Sequence, residues 1–248
     1  DPVDGGGAQG PAWYAPAGGG RRRQWWTLLH PPYTAWHLGY VVVGAALAPD
    51  VDLATLVWTV IAFFLAVGVA AHALDELHGR PLRTTIPHST LVAASALSLA
   101  GAVGIGVLLV ARAGWTLLPF LLAGPLLVVA YNAELLGGAV HNAVGFALSW
   151  GAFPVLAAYV AEARTIAPAA LLAAAGAFAL SLGQRHLSTA ARALRREVAS
   201  VGGSLQMVDG TTRPLDREAM LRPVEGALRA MSWAVVLLAS ALAVARLR

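Results

Sequence analysis

The stretch LATLVWTVIAFFLAVGVAAHALDELHGRPLRTTIPHSTLVAASALSLAGAVGIGVLLVAR, residues 53–112, decides how the chain is read. It contains two apolar runs, 53–74 and 89–111, with no charged residue in either. A hydrocarbon layer about 30 Å thick is crossed by roughly 20 apolar residues at 1.5 Å per residue, so each run is a membrane span. The polar segment between them, HALDELHGRPLRT at 72–84, is then a turn on one side of the bilayer. Five further runs of the same kind lie at 33–49, 115–133, 143–161, 166–184 and 227–245. The predicted fold is all-α: a polytopic transmembrane helix bundle of about seven spans over residues 25–248, with a polar excursion at about 185–222. Residues 1–24 begin as Gly, Pro and Ala and are read as a flexible tail.

Composition supports this. The 248 residues are 58% hydrophobic and 12% charged, with a mean hydropathy of +0.66. Soluble domains run at about 45–50% apolar and about 25% charged, so an ordinary soluble domain is excluded. The chain has no Cys, which removes disulfide scaffolds, thiolate metal sites and cysteine nucleophiles. Every one of its 17 basic residues is Arg, so lysine Schiff bases and a P-loop lysine are excluded as well. The net charge of +4 belongs to arginines that flank spans, and no motif for nucleic acid accompanies it. Twelve arginines fall on the side of the N-terminus and four on the other. Positive charge favours the cytoplasm, so the expectation is an integral membrane protein of a bacterial inner membrane with its N-terminus cytoplasmic.

On that reading three polar stretches emerge on the cytoplasmic side: 72–84, 131–142 and 184–197. In the first, His72, Asp75 and Glu76 stand at i, i+3 and i+4 on one helix face. Asp75 and Glu76 are the candidate catalytic carboxylates, and His72 and Asp75 are candidate metal ligands, completed across the bundle by His141. The alternative is a helix end wetted in the headgroup region. Arg80 and Arg83 are candidate phosphate ligands or ordinary anchors on the positive side. The second stretch offers Tyr131, Asn132 and Glu134, then a turn at Gly137-Gly138 before His141. In the third, Arg185, Arg192 and Arg196 recur at helical spacing as an anion-binding stripe, with Gln184 beside it; the stripe would meet a substrate phosphate or anionic lipid headgroups. Around 205–212 the pattern becomes that of a small hairpin, to which no chemistry is assigned, and a helix begins near Asp216.

The order of these features resembles the UbiA-type membrane prenyltransferases. The segments HALDELHGRPLRT, AYNAELLGG and SLGQRHLSTAARALRR stand where that family has its polar motif after the second helix, its Tyr-containing segment and its second polar motif. The likeness extends over roughly residues 25–200. It implies a cytoplasmic-facing cavity that takes an isoprenoid diphosphate or a related lipid, with a divalent metal as cofactor. The chain departs from the family's acids. The first motif's Asn-Asp pair falls on Ala71-His72, Asp75 is kept, and the last acidic position is Gly79, while the second motif has no acid before Glu197. Imidazole suits a transition metal better than Mg²⁺. Two functions are therefore expected: a prenyltransferase-type enzyme, or a non-catalytic membrane subunit that binds lipid, pigment or other membrane subunits.

Overall fold

In the computed structural model, which describes residues 12–16 and 20–246, eight helices and one small hairpin account for most of the described chain. The helices are α1 (Arg21–Leu28), α2 (Pro31–Ala46), α3 (Leu53–Leu77), α4 (His88–Ala113), α5 (Trp115–Asn132), α6 (Ala143–Ala163), α7 (Pro168–Arg196) and α8 (Arg217–Arg246). Their starts follow local chemistry. Pro31 and Pro168 sit in the first turns of α2 and α7, where a missing N–H costs nothing. Asp52 accepts from the Thr55 amide at 2.9 Å, Asn142 from the Gly145 amide at 2.8 Å and Asp216 from the Ala219 amide at 2.7 Å, each capping the helix that follows.

Five of these helices, α3, α4, α5, α6 and α8, are long and apolar enough to cross a membrane. The other two runs read as spans differ from them. α2 has 16 residues, short of the bilayer core, and α7 runs for 29 but turns polar from Gln184 onward. The outward faces are apolar, as lipid contact requires: Leu97, Leu126 and Leu172 are each exposed over more than two thirds of their surface.

α2 lies at the centre, packed between α6 and α8. Its approach to α6 is possible only at Gly44, where a side-chain carbon would meet the Val155 carbonyl oxygen at 2.2 Å. Trp36 and Tyr40 of α2, Val155 of α6, Ala174 and Ala177 of α7 and Val235 of α8 form the inner core. There the Trp36 indole donates to the Tyr40 hydroxyl at 2.6 Å, and the Ser181 hydroxyl meets the same oxygen at 3.3 Å.

The helices alternate in direction, which gathers the loops at two ends. One end is compact: Arg246 donates to the carbonyls of Ala48 and Pro49, Arg164 to that of Arg112, and the Asp52 amide to Glu162. The other end carries the loops 78–87 and 133–142 and the hairpin. The hairpin pairs β1 (Ser204–Gln206) antiparallel with β2 (Thr212–Pro214) around Asp209-Gly210. Two helices widen into π-type turns as they pass the middle of the bundle, α3 at Phe64–Ala71 and α6 at Leu148–Ala152. Such turns are rare in helices, and both border the site described below.

Part of the segment read as a tail is described. Residues 12–16 fold against the polar end, and 21–28 form α1. Residues 1–11 and 17–19 lie outside the described residues.

Candidate functional site

At the polar end the bundle encloses a cavity of about 460 Å³. α7 forms one wall. Arg185, Arg192 and Arg196 are spaced by seven and four residues, which keeps them within about 40° of one another on a 3.6-residue helix, and all three line the cavity. Arg185 lies over the Phe146 ring at 5.6 Å, and Arg192 donates to the Thr189 hydroxyl at 3.1 Å. Among the described residues neither has a carboxylate within ion-pair distance. Arg195 also lines the cavity but is clamped by Glu225 of α8, at 2.5 and 2.8 Å. Arg185 and Arg192 thus present their charge to the cavity rather than to a described carboxylate.

The opposite wall is made by α3 and α5. His72 and Asp75 of α3 line it, with Tyr131 and Asn132 at the end of α5. Three histidines share one arrangement. His72 Nδ1 lies 3.0 Å from the Gly68 carbonyl, His141 Nδ1 lies 2.9 Å from that of Tyr131, and His37 Nδ1 lies 2.8 Å from that of Trp150. A carbonyl only accepts, so each Nδ1 carries the hydrogen and each Nε2 keeps its lone pair in the neutral ring. Gly68 and Trp150 lie in the two π-type turns, which thus position the carbonyls met by His72 and His37.

Among the described residues two polar atoms on the cavity wall are buried without a hydrogen-bond partner: the Tyr131 hydroxyl and the Gln184 Oε1 oxygen. Buried polar groups almost always have a partner, so these two are groups that a ligand would satisfy. The Tyr131 ring is itself fixed, stacked on His141 at 4.5 Å and set edge-on to Trp150 at 5.7 Å. Glu134, half exposed at the rim, lies 3.6 Å from His78 and 4.0 Å from His141. Behind the polar cavity is a second, apolar one of about 100 Å³ between α3, α4, α5 and α6. The two share Val67 and Trp150 as lining residues.

Three expected site residues are elsewhere. Glu76 is fully buried and accepts from the Leu82 amide at 3.0 Å and from the amide and hydroxyl of Thr84, both at 2.8 Å. Positions i+3 and i+4 flank a helical residue on opposite sides, about 100° apart, so Asp75 turns to the cavity while Glu76 turns beneath the loop. Arg80 does not line the cavity; its Nη1 donates to the carbonyls of Thr84 and Ile86, at 3.3 and 2.7 Å. Arg83 is exposed and does not line the cavity.

His72, Asp75 and His141, the expected metal ligands, all line the cavity but are not gathered into one ligand set. Among the described residues no three His, Asp or Glu side chains converge on one point. Asp75 is the only carboxylate of the pair on the cavity wall, and an imidazole-rich wall does not make the oxygen shell that Mg²⁺ requires.

Residues not singled out beforehand complete the wall. His30, Tyr33 and His37 line it at i, i+3 and i+7, with His30 against His72 at 4.5 Å between ring centroids, and Tyr40 continues the same stripe into the core. That spacing was a visible signal. Trp13 and Tyr14 line the cavity from the N-terminal side. Burial and the neighbouring His72 hold the His30 imidazole well below its ordinary range, leaving it neutral at pH 7.

Comparison with protein-family models, with curated proteins and with solved structures finds no match.

Proposed function

We propose that this chain is a UbiA-like integral membrane protein of about seven spans. In its cytoplasmic-facing cavity it binds an isoprenoid diphosphate, or a related amphiphile with a phosphate head, and acts on it as a prenyltransferase-type enzyme. One observation carries the reading: Arg185 and Arg192 are presented without carboxylate partners to a cavity that meets an apolar one at Val67 and Trp150. A guanidinium grips phosphate oxygens through two parallel N–H donors and needs no bridging metal, which accounts for the missing acids. The apolar cavity takes the first carbons of the chain, and the remainder leaves along the apolar helix faces into the bilayer. In transfer, the carbon–oxygen bond to the diphosphate breaks and the arginines hold the departing anion. A new bond forms to the acceptor, whose proton passes to Asp75 or to Nε2 of His72.

A second reading, a non-catalytic membrane subunit that holds the same amphiphile, is favoured by the commitment of Glu76 to the loop. Binding is the test common to both. Geranyl diphosphate is titrated into the detergent-solubilised protein with and without chelator, using Arg185→Gln, Arg192→Gln and Arg222→Gln. The expected affinity is unchanged by chelator. It falls about tenfold or more for the first two variants, the size of a lost charged hydrogen bond. It stays at the wild-type value for Arg222→Gln, a residue exposed and paired with Glu218. Equal small losses in all three would reduce the site to surface charge. Turnover that is absent in wild type despite tight binding would select the subunit.

A further inference from the structure

Ala12–Pro16 lies across the head-group cavity and touches its rim from four places. The Trp26 indole of α1 donates to the Tyr14 carbonyl at 3.2 Å, and the Tyr14 hydroxyl is hydrogen bonded to His30 Nδ1 in the α1–α2 turn. The Trp13 indole reaches the Tyr33 hydroxyl of α2 at 3.4 Å, and Arg229 of α8 lies over the Trp13 ring at 4.9 Å. The Tyr14 ring also meets Tyr33 edge-on at 5.5 Å. Ala12, Trp13 and Tyr14 are lining residues, yet the space beneath them remains large, so the segment roofs the cavity instead of filling it. Its hold is made of single hydrogen bonds and ring contacts, with no ion pair and no strand pairing among the described residues. Each such contact is weak and separately reversible. The segment joins α1 through Gly20 at φ 127°, a backbone setting that glycine adopts readily and other residues do not.

We propose that Ala12–Pro16 is a lid on the polar cavity, latched by Tyr14 on His30 and by Trp13 between Tyr33 and Arg229. It shuts the arginine stripe off from the aqueous side and lifts to admit a ligand. The proposal rests on the cavity being a binding site, but its test requires no ligand and so fails or succeeds separately from the proposed function.

The chain has no Cys, so one introduced thiol reports one position. Ser188→Cys places a thiol on the cavity wall beneath the lid, and Ser204→Cys places one on the exposed hairpin. The rate of modification by a small anionic methanethiosulfonate is measured for each, alone and combined with Tyr14→Phe or with Trp13→Ala plus Tyr14→Ala. Tyr14→Phe removes only the latch hydroxyl and keeps the ring packing, which guards against misfolding as the explanation. For Ser188→Cys the expected acceleration is severalfold with Tyr14→Phe and roughly tenfold or more with the double alanine, the weight of a hydrogen bond and a cation–π contact together. For Ser204→Cys no change is expected. Rates at Ser188→Cys that ignore both lid variants would overturn the proposal, as would equal acceleration at the two thiols, which would report general loosening.

Discussion

Replacing Glu76 should open the 78–87 loop without touching the ligand. The carboxylate is fully buried and takes three hydrogen bonds, from the Leu82 amide, the Thr84 amide and the Thr84 hydroxyl, at 2.8 to 3.0 Å. In Glu76→Ala the hydroxyl can turn to another acceptor, but the two amides lose their partner under a buried side chain. At about 1–2 kcal/mol for each amide left unpaired, the closed loop loses about 2–4 kcal/mol relative to the open one. Glu76→Gln should lose about half as much, since one oxygen still serves Thr84 while the new NH₂ group faces the Leu82 amide donor to donor. The assay is tryptic cleavage after Arg83 in detergent, because the Arg80–Pro81 bond resists the protease. When cleavage samples a brief opening, 2 kcal/mol corresponds to about a thirtyfold faster cut. Glu76→Ala should exceed that figure and Glu76→Gln should fall between it and wild type. If Glu76→Gln is cut as slowly as wild type but has lost binding or turnover, the carboxylate acts on the ligand and the loop-clasp reasoning is wrong.

Other consequences are equally direct. Gly44→Ala drives a methyl group into the Val155 carbonyl with backbone on both sides, so thermal unfolding should show a loss of about 1–3 kcal/mol; Gly104→Ala, with open space around it, should be neutral or slightly stabilising. Asp52→Ala removes the cap of α3 and should cost about 1 kcal/mol. The hydroxyl and amide of Thr55 hold the Asp52 carboxyl below its usual range, so the cap's stabilisation is complete above about pH 4 and disappears as pH falls through the lower folded value. Melting curves of wild type and Asp52→Ala should therefore converge only in acid. For orientation, an impermeant thiol reagent applied to intact cells should label Asp50→Cys and spare Ser204→Cys, and the reverse pattern would invert the bundle.

What could be read from residues alone depended on whether the information was local. Runs such as 53–74 and 89–111 announce membrane helices because length and absence of charge are sufficient. The arginines at 185, 192 and 196 disclose their shared face through helical spacing. His30, Tyr33, His37 and Tyr40 obey the same spacing, yet three of them lie in the apolar run 33–49, which reads simply as a membrane span. Nothing local marks the π-type turns, and these supply the carbonyls that orient His72 and His37. Glu76 was separated from Asp75 by the position of a loop folding back over the helix, and Arg80 was diverted by the path of that same loop, where it and Arg83 both take positive φ. Trp13 and Tyr14 were hidden in a Gly- and Pro-rich setting whose composition says tail, although an aromatic pair within it is the part able to bury against a rim.

The central claim is that arginines of α7, and no metal, hold an anionic head between α7 and α3. An electron cryomicroscopy map of the protein with geranyl diphosphate in the presence of chelator tests it most directly. The account predicts diphosphate density within bonding reach of both Arg185 and Arg192, about 2.7–3 Å from nitrogen to oxygen, with the first carbons directed towards Trp150. Head-group density elsewhere, at Arg21–Arg23 for example, or density in the cavity only when Mg²⁺ is supplied and bound beside Asp75, would contradict it.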